Sequence, residues 1–92
     1  MRLKDKVAVI TGSGRGIGEG IVLRFAKEGA KIIVNDVNEA DAKNVVEKVK
    51  AHGGKAVAVL GSVATRAVVQ QMVDTAIKEF GTLDIMINNA GI

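Results

Sequence analysis

A glycine-rich segment near the amino terminus has the residue types and spacing that best fit a chemical role. Residues 11–18 read Thr-Gly-Ser-Gly-Arg-Gly-Ile-Gly, and they follow an apolar, β-branched run at 7–10. Glycines at a strand-to-helix turn let the backbone approach a pyrophosphate more closely than any side chain allows. The helix that follows offers free N–H groups and a positive dipole end to the phosphates. The segment therefore predicts a dinucleotide site.

The spacing of these glycines distinguishes one family of dinucleotide-binding proteins from others, which their number does not. No register of the segment satisfies G-x-G-x-x-G, whereas T-G-x-x-x-G-x-G fits and resembles the short-chain dehydrogenase/reductase family. Residues 88–91, Asn-Asn-Ala-Gly, are similar to that family's second motif, and residues 3–12 resemble 3-oxoacyl-acyl-carrier-protein reductases. The resemblance covers all 92 residues but only the first part of such an enzyme. It implies an NAD(P)-dependent oxidoreductase acting on a carbonyl or a secondary alcohol.

Composition narrows the function classes. The net charge of +3 comes from 13 basic and 10 acidic residues scattered along the chain, without tyrosine or tryptophan to stack on bases, so nucleic-acid binding is not expected. The chain has no cysteine and one histidine, His52, so no metal site is expected. No apolar run has membrane-spanning length, and a cytoplasmic location is the default expectation. We expect one dinucleotide-binding domain over residues 1–92, with the catalytic half absent.

Four apolar segments alternate with three helical patterns. Strands are predicted at 6–10, 31–35, 56–60 and 83–88, and helices at 15–28, from Asn38 to Gly53, and from Thr65 to Gly81. Strict alternation with right-handed crossovers predicts an α/β fold, a three-layer Rossmann half whose four-stranded parallel sheet has the order 3-2-1-4. Helices one and two then cover one face, and helix three alone covers the other. That face and the edge of strand four are expected to be incompletely covered.

The family resemblance assigns cofactor contacts by position. Gly12 would form the tight turn, Gly16 would allow close approach of the phosphates, and Gly18 would allow helix one to pack closely on the sheet. Ser13 would add a hydrogen bond to a phosphate. Ile17 would contact the cofactor, or it would be a core residue in a stripe with Ile21 and Phe25. The remaining contacts would come from Ser62, Val63, Asn89, Ala90 and Gly91, while Asn88 would brace the sheet.

Two residues bear on the choice of cofactor. Asp36 ends the second strand, where a carboxylate accepts hydrogen bonds from the adenosine ribose hydroxyls and repels a 2′-phosphate. Arg15 opposes this, because a basic residue in the loop resembles NADP-preferring members. The residue after Asp36 is Val37, not the basic residue expected beside a 2′-phosphate. NAD is therefore expected, with NADP the alternative.

Two positions depart from the family pattern near helix three. Ser62 stands where the family usually has an aspartate that contacts adenine. Val68 stands where a carboxylate would complete a capping box with Thr65. Both positions lack the acidic residue that the resemblance implies. Because serine is shorter and neutral, the contact of residue 62 with adenine is expected to be weaker or indirect.

The resemblance also places the proton-transfer chemistry outside this sequence. The family uses a Tyr-x-x-x-Lys pair with a serine, whereas the chain has no tyrosine and its only serines are Ser13 and Ser62. No catalytic residue is assigned, and the chain alone is expected to be inactive. An alternative is a truncated or engineered half-Rossmann module whose main property is self-association into a homodimer, through the uncovered sheet face or the strand-four edge, without binding a nucleotide.

Overall fold

Strands and helices alternate along residues 2–89, the part of the chain that the computed structural model describes. The strands are β1 (Val7–Ile10), β2 (Lys31–Asp36), β3 (Ala56–Leu60) and β4 (Ile85–Ile87), and the helices are α1 (Gly16–Lys27), α2 (Glu39–Ala51) and α3 (Arg66–Phe80). Each element falls within a residue or two of its predicted range.

The strands form one parallel sheet with the order β3-β2-β1-β4, as predicted. In the centre of the sheet, Ala8 is in register with Ile32 of β2 and with Ile85 of β4. Because all strands run in the same direction, their carboxyl ends lie at one edge of the sheet. This is the edge at which open α/β sheets bind their ligands.

The two faces of the sheet pack against different helices. Side chains of Ala8, Ile10, Ile32 and Val34 join a core cluster with α1 and α2. On the other face, Val7, Val9, Ile33 and Val59 join Met72 and Ala76 of α3. All four residues of β1 are fully buried, and a fully buried valine or isoleucine contributes about 1.5–3 kcal/mol. The predicted two-to-one division of the helices between the faces is confirmed.

The helices differ in how they begin. Asn38 caps α2, because its side-chain oxygen accepts a hydrogen bond of 2.9 Å from the Asp41 N–H, as its residue type predicts. At the start of α1 and α3, Arg15 and Thr65 make no side-chain capping hydrogen bond. The first N–H groups of a helix have no carbonyl partner within the helix. The amino terminus of α1, where residues 15–17 are exposed, therefore has no side-chain cap from Arg15.

One expectation about α1 is wrong. Ile17 is 77% exposed, so it is not a core residue. Gly18 and Val22, four residues apart, are the buried positions of the helix. Successive residues are separated by about 100° around a helix, so Ile17 is turned away from the face that Gly18 and Val22 bury. Ile21 and Phe25 are half-buried against the same cluster.

Within residues 2–89, no helix is both long enough and apolar enough to span a bilayer.

Candidate dinucleotide-binding site

The predicted site residues meet at the carboxyl edge of the sheet. The glycine loop follows β1, Asp36 ends β2, Ser62 and Val63 follow β3, and Asn89 follows β4. These positions are far apart in the sequence, and the parallel topology brings them to one edge. Ala90 and Gly91, the other two predicted contacts, lie outside the described residues.

The glycine loop is open on the side of the α1 amino terminus. Gly12 and Gly16 have φ angles of 59° and 63°, in the left-handed region that favours glycine. A Cβ atom added to Gly16 would have no atom within 4 Å among the described residues. The backbone here is accessible from outside, next to the first turn of α1.

Gly18 allows close packing of α1, here against the loop that follows β1 and the residue Asn89 that follows β4. A Cβ atom at this position would overlap the Gly12 carbonyl oxygen, and it would lie 2.8 Å from the Asn89 side-chain nitrogen. The first turn of α1 is therefore held directly against the glycine loop and the end of β4. A side chain here would push the helix amino terminus away from the loop.

The Ser13 hydroxyl points into the protein. Its side chain is fully buried, and its oxygen lies 2.7 Å from the Ile10 carbonyl and accepts a hydrogen bond of 3.1 Å from the Asn35 N–H. In addition, the Ser13 N–H donates to the Asn35 carbonyl over 2.8 Å. The hydroxyl thus braces the loop against β2, and its predicted hydrogen bond to a phosphate stays a prediction that this orientation does not favour.

Asn35 and Thr11 are structural supports that the sequence did not identify as such. Buried Asn35 donates from its side-chain nitrogen to the carbonyls of Val59 and Gly61, over 3.0 and 3.1 Å. Buried Thr11 accepts a hydrogen bond of 2.9 Å from the Asn89 N–H. A polar residue ending an apolar strand was the available signal for Asn35. Asn35 thus ties the end of β2 to the end of β3, and Thr11 ties the end of β1 to the end of β4.

Of the two asparagines after β4, Asn89 makes the bracing contact that was expected of Asn88, and its predicted contact with the cofactor stays a prediction. The Asn89 side-chain nitrogen donates to the Gly12 carbonyl over 3.1 Å, so Asn89 braces the loop. The side chain of Asn88, which was expected to brace the sheet, is exposed and has no hydrogen bond to another described residue.

The Asp36 carboxylate accepts two backbone hydrogen bonds, each of 3.0 Å. One oxygen accepts from the Gly14 N–H and the other from the Asn38 N–H. Each carboxylate oxygen has a second lone pair, so Asp36 retains the capacity to accept hydrogen bonds from a ligand. Its position links the glycine loop to the start of α2.

Gly14 and Asp41 also belong to this part of the site, although the sequence pattern assigned them no role there. A Cβ atom on Gly14 would lie 2.8 Å from the Asp41 Cβ and 2.9 Å from an Asp36 oxygen. Asp41, in the first turn of α2, therefore lies next to Asp36 across the glycine backbone. Arg15 is nearby, with its Nε 3.8 Å from an Asp41 oxygen, and its side chain is 83% exposed. This end of the site contains two carboxylates and one loosely paired guanidinium.

The loop after β3 is organised by Ser62 and Val68. The Ser62 hydroxyl accepts a hydrogen bond of 3.1 Å from the Ala64 N–H, and half-buried Val63 packs into the core beneath α3. Val68 packs on Gly61, since a Cβ there would lie 2.6 Å from a Val68 methyl group. The apolar residue at position 68 thus has a packing role in place of the capping role that a carboxylate would have.

No arrangement for metal chemistry is found in the described part of the chain, where no three histidine, aspartate or glutamate side chains are grouped to hold an ion. The edge instead combines accessible backbone N–H groups with a carboxylate pair. Such an edge can bind phosphates at one point and hydroxyl groups at another.

Comparison with known proteins gives a consistent result. The family profile described as short chain dehydrogenase matches residues 6–92. An uncharacterized oxidoreductase from Thermotoga maritima is 45% identical over 92 residues, covering 100% of this chain and 36% of that protein. A probable tetrahydroxynaphthalene reductase from Zymoseptoria tritici is 42% identical, covering 99% of this chain and 34% of that protein.

Solved structures have the same fold. The crystal structure of a hydroxysteroid dehydrogenase from Escherichia coli superposes with a TM-score of 0.94 at 40% identity, covering 99% of this chain and 39% of that one. A short chain dehydrogenase from Mycobacterium avium gives a TM-score of 0.93 at 37% identity, covering 100% and 36%. The chain thus spans little more than a third of the length of these relatives.

Proposed function

The chain belongs to the short-chain dehydrogenase family of oxidoreductases, and we propose that it supplies the dinucleotide-binding part of an enzyme that uses NAD to interconvert a carbonyl and a secondary alcohol. The observation that carries this proposal is the open amino terminus of α1 beside Gly16. There the backbone is accessible and no side chain caps the helix. Helix N–H groups and the positive end of the dipole suit a pyrophosphate.

The residues at the carboxyl edge fit the remainder of a dinucleotide. Asp36 has free lone pairs at the end of β2, where ribose hydroxyls would donate hydrogen bonds. Ile17 and Val37 are 77% and 73% exposed, and they offer apolar surface on either side of the loop. Ser62, Val63 and Asn89 lie at the ends of the neighbouring strands.

The preference for NAD rests on charge. Two carboxylates, Asp36 and Asp41, lie at the ribose end of the site, and the one basic side chain there, Arg15, is loosely paired with Asp41. The net charge of these three side chains is negative, so it disfavours the additional phosphate of NADP. The ribose 2′-hydroxyl of NAD needs only a hydrogen-bond acceptor.

A bound dinucleotide would supply the hydride of the family reaction. The family resemblance assigns the accompanying proton transfer to a tyrosine, and the sequence contains none. We therefore expect the 92-residue chain to bind the cofactor without turning over a carbonyl substrate.

Self-association is a second part of the proposal. The α3 face carries exposed apolar side chains, including Ile77 and Met86, and β4 has no strand on its outer side among the described residues. A two-fold homodimer would cover them. The cytoplasmic location stays a prediction from the sequence.

The test is a calorimetric titration of the 92-residue protein with NADH and with NADPH, comparing the unmodified chain with two aspartate variants. Ile17→Asp places a negative charge in the exposed first turn of α1, where it favours the helix but repels a pyrophosphate. Ala67→Asp makes the same change at the second residue of α3, which is also exposed.

We expect saturable binding that is stronger for NADH than for NADPH. Ile17→Asp should weaken it at least tenfold, and Ala67→Asp should change it less than threefold. If the folded chain does not bind NADH, or if both variants bind as well as the unmodified chain, the proposed role of the glycine loop is wrong.

A further inference from the structure

A cavity of about 810 Å³ lies at the edge of the sheet opposite the glycine loop. Its lining comes from the residues before β1, the last turns of α1 and α2, and the residues that lead into β2 and β3. These segments are at the amino ends of the strands, whereas the glycine loop is at the carboxyl ends. The volume is within the range of small-molecule sites, about 300–1,000 Å³.

Lysines from separate segments surround this cavity: Lys4, Lys27, Lys31, Lys48 and Lys55. Asp5 is the only acidic residue among the lining residues. The chain has nearly balanced numbers of basic and acidic residues, so the concentration of lysine here is a property of the fold.

Nearby ion pairs leave most of this positive charge unbalanced. Lys48 pairs with Glu19 of α1, while the other four lysines have no ion pair within the described residues. Glu28, just after α1, pairs with Arg24 and accepts a hydrogen bond from the Arg2 N–H. The hydrogen bond from the Arg2 N–H, together with the nearby Arg24 guanidinium, lowers the pKa of the Glu28 carboxyl group.

The carboxyl ends of two helices offset part of the excess. Each contributes roughly half a negative charge, so α1 and α2 together cancel about one positive charge. Four unpaired lysines with one aspartate leave three positive charges before this correction, and about two after it. A charge of this size matches a dianionic group such as a phosphate monoester.

The floor of the cavity is apolar. It includes the buried residues Ala30 and Val49 and the half-buried residue Ala26. Leu23, which is 36% exposed, also contributes to it. Lysine side chains extend apolar stems along such a surface and keep their ammonium groups in water. The lining thus combines an apolar base with a cationic rim.

We propose that this cavity binds a small phosphate monoester with an apolar body, at a site separate from the dinucleotide site. The apolar body would contact the floor between α1 and α2, and the phosphate would face the lysines. The proposal does not depend on the function of the glycine loop, because the two sites share no residue.

The experiment uses 1-naphthyl phosphate as the probe, titrated into the 92-residue protein at low salt and at 0.15 M salt. Parallel titrations with 1-naphthol and with inorganic phosphate separate the apolar and ionic contributions. We expect saturable binding of one 1-naphthyl phosphate per chain. Its affinity should be at least ten times that of 1-naphthol or of inorganic phosphate. Binding should weaken at the higher salt, where the Debye length is about 8 Å.

Variants locate the site. Lys27→Met combined with Lys55→Met removes two exposed rim charges and should weaken binding at least tenfold. Lys43→Met combined with Lys78→Met removes the same net charge from lysines outside the cavity lining, and it should change binding less than twofold. Lys31→Met, at a half-buried rim position, provides a second variant that retains the apolar stem, and circular dichroism checks that each variant folds.

Three results would overturn the proposal. These are the absence of saturable binding by the folded chain, equal losses in the two double variants, and loss of binding in Ile17→Asp. Equal losses would indicate attraction by net charge alone, and the effect of Ile17→Asp would place the probe at the glycine loop.

Discussion

Two aspartates lie beside Gly14: the Asp36 carboxylate, from the end of β2, and the Asp41 Cβ, from the first turn of α2. Asp36 is anchored by two backbone N–H groups, whereas Asp41 has the Arg15 guanidinium nearby, 3.8 Å from Nε to oxygen. Among the described residues at this end of the site, Arg15 is the basic side chain that would attract a 2′-phosphate. In the proposed binding mode, Asp41 would therefore act against NADP in two ways, because it would repel the 2′-phosphate and partly neutralise Arg15.

At the scale of single residues, Asp41→Asn should raise the affinity for NADPH twofold to fivefold and leave the affinity for NADH nearly unchanged. The effect is small because an exposed ion pair contributes only about 0.2–1 kcal/mol. Parallel calorimetric titrations with the two cofactors measure it, and their ratio cancels any general effect on the loop.

Arg15→Ala is the matched background for this prediction. In the Arg15→Ala variant, Asp41→Asn should raise the affinity for NADPH by a smaller factor, because the arginine that loses its partner in Asp41→Asn is absent. A gain of equal size for NADH and NADPH would contradict the proposed role of Asp41 in specificity.

At the scale of elements, the turn after β3 depends on contact between Gly61 and α3. Gly61 has a φ of 128°, and its Cα faces the Val68 side chain. Because position 68 has valine and not a carboxylate, the sequence indicated that α3 lacks a capping box at its start. It did not reveal which residue the Val68 side chain packs against. That partner, Gly61, is seven positions away in sequence and on the other side of a turn.

Gly61→Ala should lower the free energy of unfolding by about 1–3 kcal/mol, because an alanine is strained at this φ and its Cβ would press on Val68. Gly20→Ala is the matched control, in the interior of α1 with no atom within 4 Å of an added Cβ. It should raise stability by about 0.5–1 kcal/mol. Urea unfolding followed by circular dichroism measures both, and equal shifts would refute the role of Gly61.

At the scale of the whole molecule, one helix is too narrow for the face it covers. Three gaps of about 4.8 Å make the sheet roughly 14 Å wide, whereas a helix is about 10–12 Å across. Met86 is in register with Val9, whose side chain belongs to the α3 face, and it is 41% exposed, while Ile77 of α3 is 49% exposed. These two side chains mark the incompletely covered part of the face.

If this surface forms a homodimer, Ile77→Lys combined with Met86→Lys should convert the 92-residue protein from dimer to monomer, because the charges would be buried unpaired at the interface. Sedimentation velocity measures the change. Ile17→Lys combined with Val37→Lys alters two exposed apolar residues at the glycine-loop end and should leave the dimer intact. A monomeric unmodified chain would contradict the proposal.

The sequence by itself determined the elements, their order in the sheet, the division of helices between its faces and the place of the glycine loop. The elements follow from local patterns: apolar runs for buried strands, a 3.6-residue period for helices, and glycine where a turn requires it. The order of the strands and the division of the helices follow from the alternation of strands and helices with right-handed crossovers. Only the tertiary structure decided which side chains meet across segments. It turned Ile17 outward, gave the bracing role to Asn89 and buried the Ser13 hydroxyl. It also brought Asp41 to Asp36 and gathered the lysines around one cavity. These outcomes depend on the direction of each side chain and on contacts between distant segments, which residue spacing does not specify.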